Sequence, residues 1–423
     1  MMKEKLIKND LLKEEYYEID HESGLKIFVM EKPDYNGAYA LFGTKYGSVD
    51  TCFKIKGAES YTTVPEGIAH FLEHKLFESE ELDAFERFAE TGANANAYTS
   101  FDRTCYLFQC SGEFEKNLEI LLDFVKAPYF TEETVQKEQG IIGQEIRMYQ
   151  DSPDWQVLFN LLRGLYSKNP VRIDIAGTIE SIAEINADLL YSCYNTFYNL
   201  SNMALAVAGN VKKETVLSIV DRVIKKEEPV YFEQIIPEEP KEVAESYIEE
   251  TLGVDMPKFA LGFKESYSEP VRTAKETLLM NLALDIIAGK VSPLYSKMLS
   301  EGIINTSFGK EYFTGRGFSA PMFIGESNTP EKVKEEILSE IARIRKDGIR
   351  DEDFEVSLKK LYGAEVFSYN DVDDLANNLI DSYFNGHGLF STIELYKTIK
   401  KEEVEQIISD SFKEEYCCLS VIR

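Results

Sequence analysis

The hydrophobic pattern changes period several times along this chain, and each change marks an element. Thr63-Val64-Pro65-Glu66 is a capping-box pattern with proline in the first turn, so it predicts a helix starting near Val64. Ile68, Phe71, Leu72 and Leu76 recur as the apolar stripe of that helix, and His70, Glu73, His74 and Phe77 fall on an adjoining stripe. A second helix is predicted over 131–149, opening on Thr131 as N-cap with Val135, Ile142, Ile146 and Tyr149 inward. Glu138 and Glu145 lie two turns apart on its neighbouring face, and Gly140 and Gly143, poor helix formers, would permit close approach of another helix. Lys332–Lys346 reads as an amphipathic helix with Val333, Ile337, Ile341 and Ile344 buried. A helix-then-strand unit occurs twice: 178–198 followed by Met203–Ala208, and 396–415 followed by Cys417–Ile422. Phe197 precedes Leu205-Ala206-Val207 much as Phe412 precedes Leu419-Ser420-Val421. Between these two units, 225–240 is charged, proline-bearing and without helical period, which predicts a linker.

Composition narrows the class. A chain of 423 residues is too long for one ordinary core, and 26 phenylalanines with 24 tyrosines supply ample surface to bury. No apolar run is expected to span a membrane, and the charged start lacks the character of a secretory or transit segment, so a cytoplasmic location is expected. The six cysteines show no metal-type pairing and are expected to be reduced. The net charge of −28 argues against a nucleic-acid surface, which needs concentrated Lys and Arg, and is expected to be mostly solvated surface.

The chemistry sits at residues 70–74, His-Phe-Leu-Glu-His, which hold two of the chain's four histidines. Histidines four apart on a helix share a face, and a carboxylate beside them is what a zinc site needs to activate water. The order H-x-x-E-H is the inverse of the commoner H-E-x-x-H motif. A tetrahedral site needs a third protein ligand and an open position. His21 and His387 are isolated, so a carboxylate is the better candidate, and the helix over 131–149 offers Glu138 and Glu145.

At this point the chain resembles the pitrilysin/insulinase family of zinc peptidases, which includes mitochondrial processing peptidase. The resemblance rests on HFLEH at 70–74, the Glu138–Glu145 spacing, the run Gly92 to Tyr106, and Leu205-Ala206-Val207-Ala208-Gly209-Asn210; it is specific over 60–210 and general afterwards. It implies an α+β fold of two tandem related α/β-sandwich domains, antiparallel-rich sheets with helices packed on them, facing each other across a cleft. Residues 1–225 would be the zinc-binding catalytic domain, 226–241 a linker, and 242–423 a second homologous domain without metal ligands. By the same resemblance His70, His74 and Glu145 would bind one Zn2+ per chain, and Glu73 would be the general base. Glu138 would orient a ligand histidine, and Asn96 and Ala97 would lie along the bound peptide by strand addition. The expected activity is endopeptidase cleavage of peptides, unfolded segments or leaders.

The second half departs from self-sufficient family members. Ser300 stands where their substrate-contacting arginine is expected and Asn305 where their tyrosine is, and neither can replace it. The chain therefore resembles the zinc-bearing half of a heterodimer whose homologous partner subunit supplies the arginine and tyrosine, with a homodimer as the alternative. A non-catalytic core subunit or a peptide-binding processing adaptor is the competing functional reading; neither nucleic acid nor a membrane is expected as partner.

Overall fold

The structure is a computed structural model that describes residues 2–80, 82–265 and 271–423. It contains two compact units. The first is Met1–Ile146, Asp174–Ile235 and Val366–Leu389, and the second is Arg147–Ile173, Ile236–Glu365 and Phe390–Arg423.

The first unit is built on a seven-stranded sheet. Its strands are β1 (Lys3–Asn9), β2 (Glu14–Asp20), β3 (Lys26–Glu31), β4 (Ala38–Thr44), β7 (Asn94–Thr99), β8 (Thr104–Cys110) and β9 (Met203–Gly209), in the spatial order β1-β2-β3-β9-β4-β8-β7. β4 and β9 are apolar and buried along their whole length because both faces are covered, whereas β1 and β2 are charged and lie towards an edge. A small sheet of β5 (Cys52–Ile55), β6 (Thr62–Thr63) and β10 (Phe232–Gln234) lies in the same unit. The second unit holds a five-stranded sheet in the order β11-β15-β12-β14-β13, from β11 (Tyr247–Glu250), β12 (Lys258–Phe263), β13 (Gly309–Gly315), β14 (Phe318–Glu326) and β15 (Cys417–Ile422).

The two large sheets carry the same wiring. β9 runs parallel to β3 and antiparallel to β4, which pairs antiparallel with β8 and then β7. β15 likewise runs parallel to β11 and antiparallel to β12, followed antiparallel by β14 and β13. The helices follow suit. In the first half they are α1 (Ile68–Leu76), α2 (Ala84–Ala89), α3 (Phe114–Val125), α4 (Glu132–Gln150), α5 (Pro153–Leu165), α6 (Ile179–Ala183), α7 (Ala187–Phe197) and α8 (Lys213–Val223). In the second half they are α9 (Ala274–Ala288), α10 (Pro293–Ser300), α11 (Pro330–Asp347), α12 (Asp351–Ser368), α13 (Val372–Phe384), α14 (Ser391–Leu395) and α15 (Lys401–Ser411). From α1 to α7 and from α9 to α15 they interrupt the strands at corresponding points, so the repeat faintly legible in the sequence is a repeat of whole topology.

The halves exchange one helix. α5 belongs to the second unit and packs on β12 and β15, while its counterpart α13 belongs to the first unit and packs on β4 and β9. Each sheet opens a glycine under the visitor. A Cβ at Gly262 would meet Leu161 and Leu165 of α5 at 3.0 Å, and one at Gly43 would meet Ile380 and Phe384 of α13 at 3.3 and 3.5 Å. The units are consequently interleaved along the chain, where the sequence reading expected 1–225 and 242–423.

Other local expectations need correction. The expected linker is partly structural: β10 pairs with β5, and Glu239 accepts hydrogen bonds from the backbone N–H groups of Ser167, Lys168 and Asn169 and pairs with Lys264 at 2.8 Å. The predicted helix 178–198 is two helices, broken because Asn186 caps a new start by accepting from Leu189 N at 3.0 Å. That predicted over 396–415 begins only at Lys401. A Cβ on Gly140 or Gly143 would meet nothing within 4 Å among the described residues, so the close approach these glycines would permit is not used. Ala274–Ser300 contains an 18-residue window of mean hydropathy 1.3, apolar enough by composition to span a membrane, contrary to expectation. Of that window 72% is buried inside the protein, and α9 ends at Ala288 before α10 begins, so it serves as core.

Candidate metal centre

α1 starts four residues later than the capping-box pattern predicts. Its N-cap is Gly67, in the left-handed region at φ 87, with Phe71 N donating to Gly67 O at 2.9 Å. The reason is tertiary. A Cβ at Gly67 would run into the Ala176 carbonyl, and Ser181 Oγ donates to Glu66 O at 2.9 Å, so 64–67 is held by the loop before α6 instead of coiling. From there the pattern holds: Ile68, Phe71, Leu72 and Leu76 are buried, which leaves His70, Glu73 and His74 on the neighbouring stripe.

α4 brings the carboxylates. Thr131 Oγ1 accepts from Thr134 N at 3.2 Å, the N-cap bond expected, and Val135, Ile142 and Ile146 are buried. Glu145 Oε1 lies 3.8 Å from His70 Nε2, and Glu145 Oε2 lies 3.5 Å from His74 Nε2. One donor atom from each of His70, His74 and Glu145 falls within 4.8 Å of the others. Two imidazole nitrogens and one carboxylate oxygen at this spacing fit the three protein ligands of a zinc site with an open position. Glu138 Oε1 sits 2.9 Å from His74 Nδ1, so of the two histidines it is His74 that Glu138 hydrogen-bonds. His70 Nδ1 is buried without a hydrogen-bond partner among the described residues.

The electrostatics separate the three groups on α1. Burial pushes His70 down to about 3, reinforced by His74, so its ring is neutral and its lone pair available. Burial also works against a charge on His74, but the Glu138 hydrogen bond and the carboxylates of Glu73 and Glu145 together raise it above its usual value. Burial raises Glu73 above the usual carboxylate range, against the pull of its hydrogen bond from Thr99 and of His74.

Thr99, whose role was not read from the sequence, donates from Oγ1 to Glu73 Oε2 at 2.7 Å. The signal was available: strand alternation puts Thr99 on the same face as Ala97 and Ala95. Asn96 and Ala97 lie on β7, an edge strand of the large sheet among the described residues, and Asn96 Oδ1 accepts from Ala97 N at 2.9 Å. His21 and His387 lie outside the cluster, His21 bonded to Asp221 and Ser23, and His387 to the Gly388 carbonyl. In the second unit, Ser300 is exposed and donates to Lys297 O at 2.9 Å, while Asn305 Nδ2 donates to Glu326 at 2.8 Å. Lys310 pairs with the buried Asp285 at 3.5 Å, and Tyr312 donates to Glu265 at 2.7 Å.

The sequence model described as Insulinase (Peptidase family M16) matches residues 57–179, and that described as Peptidase M16 inactive domain matches 184–361. YmfH of Bacillus subtilis, described as an uncharacterized zinc protease, is 40% identical over 413 residues, 96% of each chain. The chain belongs to peptidase family M16. Among solved structures, that of a putative M16-like peptidase from Alicyclobacillus acidocaldarius matches this M16 chain with TM-score 0.92 and 34% identity, covering 100% of it and 98% of the other. A probable mitochondrial-processing peptidase subunit beta from Arabidopsis thaliana is 27% identical over 237 residues, 53% of this chain and 44% of that one. The pitrilysin/insulinase resemblance and the α+β two-domain fold it implied both hold, and the inactive-domain match covers only residues downstream of the metal cluster.

Proposed function

We propose that this chain is a zinc endopeptidase acting on peptides or unfolded segments, and that it works with a related partner subunit. The observation that carries the reading is the convergence of His70, His74 and Glu145 beside a half-buried Glu73. Zinc held by these three side chains would lower the pKa of a water and polarise a peptide carbonyl. Glu138 holds His74 in the tautomer that keeps Nε2 free for the metal. Thr99 holds Glu73 Oε2, which leaves Oε1 to take the proton of the attacking water and to pass it to the leaving amine. The raised pKa of Glu73 suits both halves of that transfer, because the carboxyl can hold the proton between them. The edge strand β7 offers the peptide an extended partner, with Asn96 and Ala97 along its path.

The second unit supports the need for a partner. Ser300 and Asn305 are engaged in local contacts and neither carries a cation, so the arginine and tyrosine of self-sufficient relatives have no replacement at these positions. The Arabidopsis relative is named as a subunit, which supports a divided enzyme. The deciding experiment is cleavage of a quenched fluorescent peptide library by the purified chain loaded with zinc, alone and with a homologous partner, with Glu73→Gln as control. Cleavage only with the partner, abolished in the variant, is expected. Cleavage by the chain alone would overturn the divided enzyme, and failure to take up zinc would favour a non-catalytic core subunit.

A further inference from the structure

The strand beside Glu73 is gripped from its other face by a helix that the second half of the chain contributes. Successive side chains on a strand point to opposite faces. Thr99 reaches Glu73 on α1, whereas Tyr98 points away and donates from its hydroxyl to Asn377 Oδ1 of α13 at 2.9 Å. Asn377 Nδ2 is itself anchored, donating to Asp373 O at 2.9 Å and to the buried Tyr39 hydroxyl at 3.3 Å. One helical turn on, Asp381 pairs with Arg103 in the turn between β7 and β8. That turn is closed by Ser100 N donating to Arg103 O at 2.8 Å, and Arg103 Nε also meets Asp102 at 2.9 Å. Tyr98 and Arg103 are therefore both fastened to one face of α13, and Thr99 lies between them.

We propose that Asn377 and Asp381 are positioning residues for peptide hydrolysis, fixing the segment Tyr98–Arg103 so that Thr99 aims the Glu73 carboxylate and the β7 edge meets the peptide in register. The proposal rests on the peptidase reading above. Helix docking alone does not account for these polar residues, because Leu375, Ala376, Leu379 and Ile380 already supply the buried face of α13. Productive geometry at a reacting centre tolerates displacements of only about 0.5 Å, so a strand released on one face changes the reaction before it changes the fold.

The test uses the complete active assembly and a quenched fluorescent peptide, with Tyr98→Phe, Asn377→Ala, Asp381→Ala and Asn377→Asp. Loss of the Tyr98–Asn377 hydrogen bond should lower kcat about three- to tenfold in Tyr98→Phe. Asn377→Ala and Asp381→Ala, which remove further bonds and the ion pair to Arg103, should lower it at least as much. Zinc content and Tm should stay near wild type, and the peptide should also be cut at secondary bonds as its register loosens. Asn377→Asp keeps the acceptor for Tyr98 and should restore most of the rate. Tyr98→Phe combined with Asn377→Ala should be no worse than Asn377→Ala alone, since that variant already removes the Tyr98 bond. Wild-type kcat in Tyr98→Phe and Asn377→Ala would overturn the proposal, as would losses that merely track lost zinc or lost folded protein. If the wild-type assembly takes up zinc but cleaves nothing, the peptidase reading fails, and hydrogen exchange over residues 94–104 decides the coupling. Faster exchange in Asn377→Ala upholds the grip of α13 on this strand, and unchanged exchange removes it.

Discussion

His70 and His74 lie one turn apart on α1, yet the protein makes them unlike bases. His70 is held neutral by burial, with its pKa near 3, while His74 is raised by the carboxylates around it. The sign of the consequence differs for each. A depressed pKa at His70 means that the unfolded chain binds the proton first, so its contribution to the metal-free fold is complete above pH 6.5 and is lost as pH falls towards 3. The contribution of His74 is complete below pH 6.5 and is lost as pH rises through its raised folded value. Urea melts of the metal-free chain should therefore show wild type losing stability relative to His70→Gln between pH 6.5 and 4; parallel curves would contradict the assignment. Glu138→Ala should weaken zinc about 10- to 100-fold in a chelator competition, because His74 loses its orienting acceptor. Glu73→Gln should keep zinc and lower kcat by at least about a hundredfold, the range expected when a general base is removed.

Among the elements, α1 is placed by its two ends differently. Its C-terminal part follows from apolar spacing, but its start is set by a glycine that lets the loop before α6 close over residues 64–67. Gly67→Ala puts a Cβ against the Ala176 carbonyl at a φ that L-residues rarely adopt. We expect a loss of about 1–3 kcal/mol in denaturant melts, with weaker zinc binding because the first histidine lies in the first turn of that helix. A variant with wild-type stability would show that the loop yields freely. The capping box at Thr63–Glu66 was thus a sound local signal that a long-range contact overrode. The cap at Thr131 met no such competitor and formed as written.

On the scale of the whole molecule, the reciprocal exchange of α5 and α13 ties each sheet to both halves of the chain. Residues 1–241 alone would lack α13 and leave the outer faces of β4 and β9 without the Leu375, Leu379, Ile380 and Phe384 that cover them. Such a fragment should be insoluble, or compact but loosely packed, binding a hydrophobic dye and lacking near-UV circular dichroism. A well-packed, zinc-binding fragment 1–241 would contradict this. The same exchange makes the charged 225–240 segment more than a tether, since Glu239 fastens it beside Ser167 and Lys264.

What the sequence determined by itself is local or repeats in chemistry. The H-x-x-E-H spacing, the seven-residue step from Glu138 to Glu145, the buried stripe of α11 and the matching strands Met203–Gly209 and Cys417–Ile422 follow from helix and strand periodicity. Tertiary structure decided the rest, because it depends on partners distant along the chain. Glu138 could have served either histidine, and only the tertiary placement of α4 beside α1 selects His74. Thr99 became the partner of Glu73 through the packing of α1 against β7. The units could not be delimited along the chain, because α5 and α13 carry ordinary amphipathic patterns that say only that one face must be buried, and not against which sheet.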